Sequence, residues 1–334
     1  MKNMQYLLTT IKGLEDISLQ EFKTKGKIVH PGKILFASKD IDRIIYNTRS
    51  LIRITKVLAE FKFETYEDIL KRFKETKWKI KDTYRVQCFR EGNHEFNSQD
   101  IMSEGHAFLK GKIDFKNPKT TLAIEIVANH CYFGYLKAND LNKRYYKVKT
   151  HKTDVNSCLA FLLIKLLDYK PKETLFDPYC GCGTLLIEAA LYAKNIAPQH
   201  LKNPIKKFDK IKEINPKITG FDDMLYNIKN TRINAKLAQV DLDLHNCTID
   251  WAETKLRKID KVITYLSKNH EQEFQKTISQ LAPHAKILVI TTNKEFNVNE
   301  KEYKCLKRTA QVGGTIYYIL CYQKKNSSNK EKKN

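Results

Sequence analysis

No stretch of the 334 residues approaches the run of about 20 apolar side chains that a membrane-crossing helix requires. The opening MKNMQYLLTTIKGLED carries no signal-peptide pattern either, because charge and glycine interrupt every apolar run. Eight cysteines without a secretion leader are therefore expected as free thiols in the reducing cytoplasm. Cys180-x-Cys182 has no second Cys/His pair nearby, so no metal site is expected. Acids are scarce as well: 38 Asp and Glu stand against 60 Lys and Arg, a formal net charge of +22. An excess of that size favours a polyanionic partner, foremost nucleic acid; the bland alternative is a lysine-rich compositional bias. The length suits two or three domains, and no internal repeat is visible.

What the chain does have is residues 174–190, TLFDPYCGCGTLLIEAA. An apolar entry ends at Asp177. Gly181 and Gly183 then allow a tight turn with close backbone approach. From Thr184 the spacing of Leu185, Leu186, Ile187, Ala189 and Ala190 suits a helix packed on a sheet. Strand, glycine loop and helix make the nucleotide-binding turn of a doubly wound α/β fold. A dinucleotide fingerprint needs a third glycine where Leu186 stands, which disfavours NAD and FAD. The Lys-Ser/Thr ending of a phosphate-binding P-loop is missing, which disfavours ATP. S-adenosylmethionine fits what remains: it has an adenosine, a cationic sulfonium and no phosphate.

DPYCGCGTLLIEAA also resembles the DPxCGSGTxxIEAA motif of RNA methyltransferases that carry a THUMP domain. The resemblance implies that Asp177, Pro178, Cys180, Gly181, Gly183 and Thr184 line an S-adenosylmethionine site; Cys182 stands where the family usually has Ser. It extends forward. KGLEDISLQEF resembles the opening of these enzymes, and NTRSLIRITKVLAEFKFETYEDI resembles the lead into their THUMP domain. The run from Arg90 to Asp100 follows R-x-G-x-H-x-F-x-S-x-D. The family uses this fold to hold the acceptor end of tRNA, which implies RNA contacts for Arg85, Arg90, His94 and Lys112. For His94 a turn hydrogen bond is the competing role. Residues 141–151, LNKRYYKVKTH, interleave Lys143, Arg144 and Lys147 with Tyr145 and Tyr146, which suits phosphate contact plus base stacking; a solvated linker is the alternative.

The expected organisation is an α+β ferredoxin-like domain over 1–65, a THUMP domain over 66–140, a linker and leading helix over 141–168, a Rossmann-like sheet over 169–323 and a disordered basic tail over 324–334. In the sheet, the second strand (217–221) ends at Asp222, placed to take both ribose hydroxyls of an adenosine. A third strand over 247–249 is followed by Asp250 and Trp251, placed for the adenine amino group and ring. Ser98 is the expected cap of a helix to Leu109. The last strands form a hairpin around Gly313-Gly314.

At the end of the fourth strand the resemblance breaks. Family members place Asn or Asp there, then Pro-Pro-Tyr, to accept hydrogens from an exocyclic base amine and stack on the flipped base. Here Tyr265, Leu266, Ser267 and Lys268 follow Thr264. Three explanations compete: a variant site built on Tyr265 and Ser267, cofactor and RNA binding without catalysis, or activation by a partner protein. The leading expectation is an S-adenosylmethionine-dependent tRNA methyltransferase acting on guanine N2. The rival is a THUMP RNA-binding protein on a relic scaffold.

Overall fold

Alternation of apolar and polar side chains in the first 140 residues produces strands, while the chain after Leu141 alternates strand and helix. The computed structural model describes residues 4–22, 26–151, 154–281 and 285–325, so most of the expected tail lies outside the described residues. In chain order the first elements are β1 (Met4–Thr9), α1 (Glu15–Leu19), β2 (Gly26–His30), β3 (Lys33–Ser38), α2 (Ile41–Asn47), β4 (Arg53–Lys62), α3 (Tyr66–Glu75), β5 (Thr83–Glu91), α4 (Ser98–Phe108), β6 (Lys112–Ile113), β7 (Thr120–Val127) and β8 (His130–Ala138). They are followed by α5 (Ser157–Leu167), β9 (Leu175–Asp177), α6 (Thr184–Ala193), β10 (Ile218–Asp222), α7 (Leu225–Ala238), β11 (Asp243–Asn246), α8 (Ala252–Lys255), β12 (Lys261–Tyr265), α9 (Glu271–Leu281), β13 (Lys286–Thr291), β14 (Tyr303–Val312) and β15 (Thr315–Lys324).

These elements form two units. The first holds one eight-stranded sheet in the order β2-β3-β1-β4-β8-β7-β5-β6. No sheet break falls at the expected boundary between 65 and 66, because β4 pairs with β8 along most of its length. The face under α3 and α4 is closed by Ile69, Phe73, Tyr84, Val86, Ile101, Leu122, Ile124 and Phe133. Both helices start with a capping box: Thr65 with Asp68, and Asn97 with Asp100. Asn97, not Ser98, is therefore the cap of α4, because its extended backbone lets its side chain accept from the amides of Gln99 and Asp100. A buried ion cluster crosses the sheet. Glu125 accepts from Lys33 at 2.9 Å, from Arg53 at 2.8 and 2.9 Å, and from Thr55 at 2.7 Å. Burial pushes its carboxyl up, but Lys33 and Arg53 outweigh that and hold it at about 2.

The second unit takes in residues 10–22 and 42–51, with α1 and most of α2, as well as the chain after Asp140. Its sheet runs β11-β10-β9-β12-β13-β15-β14. Five strands are parallel, β15 is antiparallel to β13, and β14 pairs antiparallel with β15 as the expected hairpin. β14 and β15 turn at Gly313-Gly314. α5 is buried almost all round and is capped by Asn156.

Candidate cofactor and acceptor site

β9 is only three residues long, and all three are buried. It lies between β10 and β12, with Gly220 opposite Asp177 and Val262 opposite Phe176. The strand order reverses beside β9, so the crevice at the strands' carboxyl ends opens at the glycine loop.

Hydrogen bonds from neighbouring elements fix this loop. The Cys180 amide donates to Phe221 O at 2.8 Å, and the Gly181 amide to Asp222 Oδ2 at 2.9 Å. Asp222 Oδ1 also accepts from the Met224 amide and from Asn227 Nδ2, at 3.0 and 2.9 Å. α7 straps the far side: Thr231 Oγ1 donates to Gly181 O at 2.7 Å, and Asn234 Nδ2 to Cys182 O at 3.0 Å. Asn227, Thr231 and Asn234 recur at helical spacing and are buried, so α7 turns a polar face inward while Leu225, Tyr226 and Ile233 stay exposed. Sequence reasoning missed this face, since polar residues at that spacing ordinarily mark the solvent side; the run of amides among exposed apolar neighbours was the available signal.

The two glycines do different work. Gly183 sits at φ 82°, and a Cβ there would meet Thr231 Cγ2 at 2.5 Å. Gly181, at φ 55°, has nothing within 4 Å of where a Cβ would stand. The loop therefore leaves a cradle beside Gly181 that any side chain would fill. α6 starts directly after it with no side-chain cap, and the buried Thr184 Oγ1 has no partner among the described residues. Amide donors, an unpaired hydroxyl and acids at strand ends, with no lysine or arginine in the loop, fit an adenosyl cofactor without phosphate.

Asp177 is 1% exposed, and its Oδ1 accepts from the Tyr179 amide at 3.1 Å. Burial, with Asp222 adding to it, pushes its carboxyl up to about 7. Burial also raises the thiols of Cys180 and Cys182, the latter to about 11, so neither is a ready nucleophile. Pro178 is buried under the loop. The expected third strand lies earlier, at β11. Residues 249–251 form a short 3-10 turn that leaves Asp250 exposed and Trp251 54% exposed. Asp250 thus stands on a turn, not at a strand end.

On the other side, Tyr265 ends β12 half-buried, edge-on to Tyr317 with ring centres 6.5 Å apart. Leu266 turns into the core, its amide bound to Ile290 O. Ser267 Oγ lies 3.2 Å from His270 Nδ1. The His270 ring stacks on Tyr179 at 4.5 Å and 9°, and the Tyr179 hydroxyl donates to Glu273 at 3.2 Å. His270, Tyr179 and Glu273 were not singled out by the sequence, where no periodicity joins positions 179 and 270.

The expected RNA contacts separate. Arg90 and His94 brace their own turn: Arg90 donates to Gly92 O at 3.2 Å, and His94 Nε2 lies 2.7 Å from Ala128 O. Arg85 donates to Phe115 O at 3.2 Å, and Lys112 is exposed on β6. Lys143 is exposed in the second unit. Arg144 is a correction: it is 7% exposed and paired with Glu188 at 2.8 Å, and Glu188 also accepts from Tyr146 at 3.0 Å. A phosphate cannot reach it. Lys147 is likewise committed, to Val155 O at 2.7 Å and Asp154 at 3.7 Å.

Comparison with known proteins agrees with this geometry. Residues 144–281 match the RMKL-like methyltransferase domain (UPF0020), and residues 62–135 match the THUMP domain. The tRNA (guanine(6)-N2)-methyltransferase of Methanocaldococcus jannaschii is 30% identical over 279 residues, 71% of this chain and 73% of that protein. The enzyme of the same name from Archaeoglobus fulgidus is 27% identical over 214 residues, with 58% of this chain matched to 55% of that one. TrmN from Thermus thermophilus has the same fold, with a TM-score of 0.73 at 17% identity over 96% of this chain and all of that one. SMU.472, solved with SAH, superposes with a TM-score of 0.78 at 20% identity over 98% of this chain. The chain belongs to the THUMP-containing class I S-adenosylmethionine-dependent RNA methyltransferases. No helix among the described residues is long and apolar enough to cross a membrane.

Proposed function

We propose that this protein methylates the exocyclic N2 of a guanine in tRNA, in the cytoplasm, with the first unit engaging the acceptor region. The observation that carries the reading is the pairing of a braced, open glycine loop with 30% identity to a tRNA (guanine(6)-N2)-methyltransferase over most of both chains. Bound S-adenosylmethionine would supply a methyl group on a cationic sulfonium. Gly181 and Gly183 shape the cradle. Asp222 Oδ2 takes one main-chain donor and keeps a lone pair for a ribose hydroxyl. Asp250 and Trp251 take the adenine amino group and ring. Tyr265 and Ser267 border the acceptor base. Arg85, Lys112 and Lys143, with the net charge of +22, supply attraction to phosphates.

One observation favours a second reading, an RNA holder without catalysis: Thr264 to Lys268 carry none of the amide, carboxylate or proline acceptors that the family places there. Calorimetry with S-adenosylmethionine, followed by radiolabel transfer to unmodified total tRNA and nucleoside analysis, separates the two. Label in N2-methylguanosine supports the enzyme. Cofactor binding without transfer supports the holder. RNA affinity should fall steeply with salt; a flat response would remove phosphate-led binding.

A further inference from the structure

We propose that His270 receives the acceptor base at this site and takes the proton that its amine releases, with Ser267 and Tyr179 as the residues that position it. The inference rests on the methyltransferase reading and names the chemistry of its acceptor side.

Placement comes first. β12 runs beside β9, and both end at the same edge of the sheet. The burial of Leu266 and its amide bond to Ile290 O pin the chain there, so the turn from Ser267 to His270 stands beside the glycine loop. The turn is closed by the His270 amide donating to Ser267 O at 3.0 Å. The imidazole is then held on two sides. Its face lies flat on Tyr179, itself fixed by Asp177 through its amide and by Glu273 through its hydroxyl. Its Nδ1 edge meets Ser267 Oγ. Nε2 has no protein partner among the described residues, and the ring is half-exposed.

The chemistry follows from the tautomer. With the proton on Nδ1 and donated to Ser267 Oγ, Nε2 carries a free lone pair. An exocyclic amine that forms a bond to carbon must lose one of its protons. Histidine is the side chain whose ordinary titration lies nearest neutrality, which suits it to accept that proton. In balance, the amine's lone pair makes the new N–C bond, the old C–S pair stays on sulfur, and the amine's proton passes to Nε2. The charged and titratable groups around the ring are Tyr179 and Glu273 on its stacked face, Lys268 in its own turn and Glu271 beside it, the last bound by Asn293.

The test has a readout apart from turnover. Two-dimensional 1H–15N correlation of the full chain, labelled at histidine and without cofactor, reports the tautomer of neutral His270. The expected result is a proton on Nδ1 in the parent and a shift towards Nε2 in Ser267→Ala. His270→Gln should bind S-adenosylhomocysteine as the parent does, yet transfer methyl to tRNA about 100-fold more slowly. Ser267→Ala should fall between. A parent protonated on Nε2, or His270→Gln transferring at the parent rate, would overturn the inference alone. A parent that binds cofactor but transfers nothing would overturn the enzyme reading and this inference with it.

Discussion

Replacing Gly183 with Ala tests whether the loop geometry is as tightly set as its contacts indicate. At φ 82° a side chain pays the strain of the left-handed region, about 1–2 kcal/mol. The new Cβ also stands 2.5 Å from Thr231 Cγ2, a contact that must be relieved by movement and adds about 1–3 kcal/mol. The combined loss of stability should be about 2–5 kcal/mol. The two parts can be separated. Thr231→Ser removes Cγ2 but keeps Oγ1, which donates to Gly181 O, so alone it should cost about 1 kcal/mol for a lost buried methyl. Combined with Gly183→Ala it removes the worst clash and leaves Oγ1 at 3.2 Å and Cβ at 3.3 Å from the added carbon. The double variant should therefore be about 1–2 kcal/mol more stable than the sum of the singles. Gly181→Ala is the control: its Cβ meets nothing, so stability should fall by about 1–2 kcal/mol from the backbone alone, while S-adenosylhomocysteine affinity drops because the methyl fills the cradle. Urea unfolding gives the cycle, hydrogen exchange on α6 and α7 localises it, and calorimetry gives the affinities. Strict additivity of Gly183→Ala and Thr231→Ser would refute the packing argument. A Gly181→Ala chain that binds S-adenosylhomocysteine normally would refute the cradle.

Three further outcomes follow from the same contacts. Asp222→Ala strands the Gly181 and Met224 amides and Asn227, so S-adenosylhomocysteine should bind about 1–3 kcal/mol more weakly by calorimetry; an unchanged dissociation constant would contradict its role. Glu125→Gln leaves Lys33 and Arg53 buried beside a neutral partner and should cost about 3–5 kcal/mol near neutrality. Since the native carboxyl sits at about 2 against an ordinary 4.5, Glu125 stabilises above 4.5 and loses that contribution as pH falls towards 2, so the gap between parent and variant in urea titrations should close over that window. Arg144→Lys should lower the melting midpoint while leaving the dependence of RNA affinity on salt unchanged; a log–log slope reduced by about 1 would restore Arg144 as a phosphate contact.

The strand, loop and helix of residues 174–190 were legible because pattern and chemistry coincide there: a short apolar strand, glycines where φ is positive, then a helix buried on nearly every face. β11 was misplaced because only Leu244 in its four residues is apolar, while Cys247 and Ile249 just beyond it look more strand-like. β2 was missed for a related reason, being an edge strand whose Lys27 and Ile28 face solvent. Arg144 reads as a surface cation because its partner, Glu188, lies on α6, 44 residues along the chain. Nothing local distinguishes a lysine or arginine bound for the interior from one bound for solvent. His270 shows the same limit from the other side: its stacking partner Tyr179 is on another strand's loop, and only the fold brings them together.

Asp177 offers a way to tell a working cofactor site from a relic. A carboxyl held at about 7 instead of 3.8 keeps a proton that the unfolded chain gives up. Folding therefore loses stability as pH rises from about 3.8 to 7, and above that window the penalty is on the order of 4 kcal/mol. Asparagine would keep an acceptor for the Tyr179 amide and escape the penalty. Asp177→Asn should then unfold at higher urea than the parent at pH 8, with the difference vanishing by pH 4. It should also bind S-adenosylhomocysteine more weakly than the parent, because the carboxylate beside the loop is lost. A protein that only held RNA would have no use for a buried acid that destabilises it. If Asp177→Asn gained stability and kept full cofactor affinity, the acid would serve no ligand, and the case for a working site beside Gly181 would fall with it.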